Sequence, residues 1–141
     1  MLAWMKERLA AGKYSAVCDL LGMEVVRVEA GEAEIYMNVN SQMFNPFGTV
    51  HGGILCDLAD MAMGTAFFTT LEAGEGLATV ELKINFLRPA REGRLQAVAK
   101  VVHRGRLMGL VECEVKNEEG KLVAKANSTC MVVKDERARQ I

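Results

Sequence analysis

Apolar residues along this chain change their period several times, and each change marks an element. From about Leu2 to Leu21 they are interleaved with charges as in one or two short helices, broken near Gly12. Strict alternation follows. Val26 and Val28, then Ala33, Ile35, Met37 and Val39, lie on one parity, with Glu32, Glu34 and Asn38 on the other. That pattern predicts two half-buried strands joined by a turn at Glu29-Ala30-Gly31. Ser41 to Val50, containing Asn45-Pro46-Phe47-Gly48, reads as loop. From about Gly52 to Leu71 the chain is apolar on most sides (Ile54, Leu55, Leu58, Met61, Ala62, Ala66, Phe67, Phe68), which predicts one long helix. Its length approaches that of a membrane span. Asp57 and Asp60 would each cost about 3 kcal/mol at a bilayer centre, and no Lys or Arg stands near its ends. A helix wrapped by protein is therefore expected.

Alternation then returns, with Ala78, Val80, Leu82, Ile84 and Phe86 on one parity and Thr79, Glu81, Lys83 and Asn85 on the other. Leu95–Val102, Leu107–Lys116 and Leu122–Val133 make three further strands, the last two joined by a turn at Asn117-Glu118-Glu119-Gly120. Consecutive strands with short connections predict an antiparallel sheet. The class is α+β, with the sheet curled round the long central helix so that each buries the other. The last residues, Lys134 to Ile141, form a charged tail expected to fray.

Composition narrows the function. The chain has 141 residues, half of them hydrophobic and a quarter charged, which suits one folded domain. Lys plus Arg is 17 and Asp plus Glu 18, a net charge of −1. That balance argues against a nucleic-acid or membrane-surface grip. The four cysteines, Cys18, Cys56, Cys113 and Cys130, form no CxxC pair and there are only two histidines, so no metal site is expected. The first dozen residues lack a signal-peptide pattern, and unpaired thiols fit a reducing cytoplasm.

Two features on the long helix carry candidate chemistry. At 100° per residue Gly53, Asp57, Asp60 and Gly64 fall on one stripe. It reads either as a solvated face or as a functional carboxylate with close-approach glycines, and Met61, Met63, Phe67 and Phe68 around it weigh against free exposure. The helix also starts at Thr49-Val50-His51-Gly52-Gly53 without a capping box. Its first N–H groups then have no helical partner, and the two glycines leave them open to an anion or developing oxyanion. Alternatively, the Gly-Gly pair only shapes a turn. No serine lies in a GxSxG elbow, and no phosphate-binding glycine loop is present. Cys56 reads as a buried, inert thiol. Arg88, Arg91, Arg94, Arg104 and Arg106 near strand ends are solvated charges or phosphate holders.

Asn45-Pro46-Phe47-Gly48-Thr49-Val50-His51-Gly52-Gly53 followed by Leu58-Ala59-Asp60 resembles the signature of hotdog-fold acyl-CoA thioesterases, nearest the phenylacetate-pathway (PaaI-like) branch. The resemblance covers about Leu20 to Val133. It implies that Asn45 orients its loop and the substrate. Gly52 would donate its N–H to the thioester oxygen with His51 in support and Gly53 beside it, and Asp60 would be base or nucleophile. Thr79 would be a hydroxyl supplied by the partner subunit, and Arg104-Gly105-Arg106 would meet the CoA phosphates. It further implies a homodimer or homotetramer acting on acyl-CoA, aryl or medium-chain, without a cofactor. A non-catalytic acyl-CoA sensor or a hotdog dehydratase are the competing expectations. A retained acid at Asp60 and the absence of a helix-turn-helix favour the enzyme over the sensor.

Overall fold

The computed structural model describes residues 1–12 and 14–135. Two short helices come first, α1 (Leu2–Ala10) and α2 (Ala16–Leu21). The break falls where the pattern puts it, because Gly12 takes φ +65°, a conformation that ends a helix cheaply only at glycine. Strands β1 (Met23–Glu29) and β2 (Glu32–Asn38) form the expected hairpin. A single 3-10 turn, Ser41–Met43, starts the following loop, with the Asn40 side chain accepting from the Gln42 amide. Then come α3 (Gly52–Phe68), β3 (Glu75–Phe86), β4 (Arg94–Arg104), β5 (Met108–Lys116) and β6 (Leu122–Lys134). The expected charged tail, apart from Lys134 and Asp135, lies outside the described residues.

The six strands of the described residues make one antiparallel sheet in the order β1-β2-β4-β5-β6-β3. It wraps α3, which packs against every strand. Small residues let the helix sit close: Ala33, Ala97, Ala99 and Ala126 on the sheet share the buried core with Ala59, Ala62 and Ala66 on α3. Phe67 lies directly on Gly109, where a β-carbon would overlap its ring and stand 2.8 Å from the His103 carbonyl oxygen. Phe67, Leu58, Ile35, Met37 and Leu95 are wholly buried, each stabilising the fold by about 1.5–3 kcal/mol.

Among the departures from simple periodicity, these position the site. Helix α3 stops at Phe68, short of Leu71, because threonine hydroxyls take its last carbonyls. Thr69 donates to the Ala66 oxygen at 2.7 Å and Thr70 to the Phe67 oxygen at 2.7 Å. Thr69 also accepts from Gly31 N–H at 2.8 Å, tying the helix end to the β1–β2 turn. Bulges interrupt β1 between Val25 and Arg27 and β3 between Thr79 and Glu81. Val26 and Val80, read as inward, are the extra residues and are exposed. The β3 bulge matters most. Unbroken alternation would put Thr79 on the outer face with Glu81 and Lys83. The extra residue turns its hydroxyl toward Asp60 of α3, though Thr79 stays exposed, while Leu82 and Ile84 still face the core.

Candidate active site

The loop before α3 is built to deliver His51. The Asn45 side-chain oxygen accepts from Phe47 N–H at 2.9 Å and Thr49 N–H at 3.3 Å, and its Nδ2 donates to Thr49 Oγ1 at 2.9 Å. Asn45 thus spends its carboxamide on its own turn, which holds the loop. Val50 N–H donates to the Ala90 oxygen and His51 N–H to the Met43 oxygen, both at 2.8 Å, anchoring the chain on either side.

The helix start is less open than the sequence suggests. His51 is the N-cap, and its Nδ1 accepts from Gly53 N–H at 2.9 Å. This fixes the neutral ring as the tautomer protonated on Nε2. The Gly53 amide is therefore occupied, leaving the Gly52 amide without a hydrogen-bond partner among the described residues. Gly52 does not have positive φ. Its small size serves a close approach instead, since a β-carbon there would lie 2.9 Å from the tip of the Phe86 ring.

Along the stripe, Gly53 and Asp57 are exposed while Asp60 and Gly64 are half-buried. Asp60 is the partnered acid: Thr79 Oγ1 donates to its Oδ1 at 3.0 Å. The hydroxyl expected from a second subunit is thus beside Asp60 within one chain, placed there by the β3 bulge. The Gly52 amide and the Asp60 carboxylate, by contrast, are eight residues apart on one helix, about 12 Å along its axis. Groups that act on one carbonyl must each come within about 3 Å of the reacting group.

A cavity of about 320 Å³ opens at Asp60 and Thr79 and runs along α3 past Gly64 to Phe68. Leu77 of β3 forms one side; Trp4, Met5 and Tyr14 form another. These three were not singled out from the sequence. Tyr14 reaches Thr65 across 51 positions, and no local pattern encodes such a contact. Gly64 has room for a side chain, since a β-carbon there would meet only Leu77 Cδ1 at 4.0 Å. A helix-interior glycine costs about 1 kcal/mol relative to alanine, so its effect here is to keep the cavity open.

The arginine segment stands elsewhere. Arg104 Nε donates to Thr70 Oγ1 at 3.1 Å, its guanidinium lies 3.6 Å from Glu75 and 5.1 Å from the Phe67 ring centroid, and it also holds the Gly105 carbonyl. Arg104 therefore clamps the β4–β5 turn to the C-terminal end of α3, opposite His51 and Gly52. Arg106 and Gly105 line a separate shallow pocket with Leu107 and Met108. Of the thiols, burial pushes Cys56 up, helped by Asp57 and Asp60, and burial also raises Cys130, which pairs with Thr79 across β6 and β3.

The chain is similar to known thioesterases in both sequence and fold. The sequence profile of the thioesterase superfamily matches residues 47–124. The acyl-coenzyme A thioesterase PaaI of Escherichia coli K12 is 35% identical over 125 residues, covering 86% of this chain and 85% of that protein. The proofreading thioesterase EntH of Klebsiella pneumoniae is 30% identical over 124 residues, covering 85% and 90%. The solved structure of the E. coli PaaI protein superposes with a TM-score of 0.84 at 29% identity, covering 94% of this chain and 96% of that one.

Proposed function

The chain belongs to the thioesterase superfamily and is an acyl-CoA thioester hydrolase; from that premise we propose that Asp60 is the reacting carboxylate and that the complete site is shared between two copies of the chain. The observation that carries this reading is the Asp60–Thr79 pair at the mouth of an apolar cavity. Thr79 holds the carboxylate in one orientation, leaving its other oxygen for chemistry. Asp60 takes a proton from water as the water oxygen attacks the thioester carbon, or attacks that carbon itself and forms an anhydride that water then opens. In both routes the carbonyl oxygen becomes an oxyanion, the C–S bond breaks and CoA thiolate leaves. The oxyanion accepts from Gly52 N–H, strengthened by the helix N-terminus.

The 12 Å gap makes Gly52 and Asp60 partners only across a subunit boundary. Edge strand β3, with twelve residues and no neighbour on one side among the described residues, provides the seam. Antiparallel pairing with its copy would continue the sheet and bring the partner's helix start toward this chain's Asp60. Exposed Val80 and Phe86 on β3 would gain cover. A dimer, alone or doubled into a tetramer, follows, with Arg106 the better placed of the two arginines to meet CoA phosphates because Arg104 is engaged. A CoA substrate and four free thiols suit a cytoplasmic protein. Thiol release from acyl-CoAs by the purified protein tests the reading. Activity that Asp60→Asn lowers by about 10²–10⁴-fold supports it, and an Asp60→Asn protein with parental activity overturns the assignment.

A further inference from the structure

We propose that the N-terminal segment is the wall that measures the acyl group, with Trp4 and Tyr14 lining one side of an open pocket that takes an apolar chain of medium length. This rests on the thioesterase reading: a thioester at Asp60 carries the acyl tail on one side of its carbonyl and CoA on the other, and the mostly apolar lining suits the tail. The cavity runs from Asp60 to Phe68, eight residues or about 12 Å of helix. A zigzag chain advances about 1.25 Å per carbon, given C–C bonds of about 1.5 Å, so roughly eight to ten carbons span it. The volume of about 320 Å³ lies within the range of small-ligand sites.

Two further observations point the same way. Gly64 sits in the floor at a place where neither backbone conformation nor packing asks for glycine, and where any side chain would shorten the channel. The far wall is fastened to α3 and not merely resting on it. Thr65 gives its one hydroxyl proton to the Met61 oxygen at 2.6 Å, so in the Tyr14–Thr65 hydrogen bond Tyr14 is the donor. Burial raises the Tyr14 pKa, keeping that donor protonated. Trp4 packs against Phe68 with the rings tilted at 46° and centroids 5.5 Å apart. The hydroxyls of Tyr14, Thr65 and Thr79 engage protein groups, Ser15 hydrogen-bonds Cys18, and the pocket offers an acyl tail chiefly apolar surface.

The test uses the full chain, saturated acyl-CoAs of two to sixteen carbons, and the non-hydrolysable thioethers S-ethyl-CoA and S-octyl-CoA. Parental kcat/KM should rise to about eight to ten carbons and then fall, with gains approaching fourfold per buried methylene. S-octyl-CoA should bind at least a hundredfold more tightly than S-ethyl-CoA by calorimetry. Trp4→Ala should move the optimum to longer chains, whereas a purely structural role would lower all lengths alike. Gly64→Leu, a change that favours helix, should lower the octanoyl-to-acetyl ratio of kcat/KM by about a hundredfold, through KM. Equal binding of the two thioethers, or an unchanged chain-length profile in both variants, overturns the proposal. A protein that hydrolyses no acyl-CoA overturns the premise instead, and the thioether ratio still decides the wall.

Discussion

At the scale of single residues, His51 shows how one side chain can close what the backbone leaves open. Its Nδ1 takes the Gly53 amide and caps α3. His51→Ala should therefore cost about 1 kcal/mol of stability, read as a lowered denaturation midpoint, and His51→Asn should restore most of it because asparagine caps well. Asp60 and Asp57 separate equally clearly. Only Asp60 lines the cavity and holds Thr79, so Asp57→Asn should leave kcat near parental while Asp60→Asn does not. Thr79→Val removes a hydrogen bond to a charged group and should lower kcat roughly tenfold or more. The cysteines should behave as inert groups. Burial pushes the Cys113 thiol up to about 12 and raises Cys18, Cys56 and Cys130 as well. All four stay protonated at pH 8, so a thiol reagent should label the native protein slowly and all four rapidly only after denaturation.

At the scale of elements, close packing of α3 on the sheet depends on absent atoms. Gly109→Ala would drive a methyl group into the Phe67 ring and the His103 carbonyl. It should destabilise the protein by about 1–3 kcal/mol, measured as the shift in urea midpoint. Arg104 works the other way, joining the β4–β5 turn, Thr70 and Glu75 of β3 through one guanidinium. Arg104→Ala should lower stability, and Arg106→Ala, which breaks no such network, should instead weaken CoA binding. The β3 bulge is the element-scale device that makes the site. One extra residue at Val80 exchanges the faces of everything before it, and Thr79 arrives at Asp60 as a result.

At the scale of the whole molecule, the separation of Gly52 from Asp60 has a consequence that mixing can expose. If each site takes Gly52 from one copy and Asp60 from the other, Gly52→Val and Asp60→Asn proteins should each be nearly inactive. Refolded together, a random mixture makes half its dimers mixed, and each mixed dimer has one intact site. About a quarter of parental activity should return. No recovery, in a mixture shown by sedimentation to be dimeric or tetrameric, would place both groups in one chain.

Much of this architecture was already legible in the order of residues. The apolar run from Gly52 and the alternating runs on either side determined a long helix inside an antiparallel sheet, because burial imposes a period that no other arrangement satisfies. The helix start and the acid stripe were visible in local geometry, and the resemblance carried by Asn45, His51-Gly52-Gly53 and Asp60 made them the candidate site. Tertiary structure decided the rest. Whether an amide at the helix start is open depended on where the His51 ring turned. The side of the sheet reached by Thr79 depended on a bulge whose extra residue, Val80, fits the alternation perfectly well. Only the fold shows Arg104 tied to Thr70 and Glu75, and only the fold brings Trp4 and Tyr14 onto α3. In each case the deciding contact joins residues whose separation along the chain carries no period. Its energy exists only once the helix and sheet have already packed.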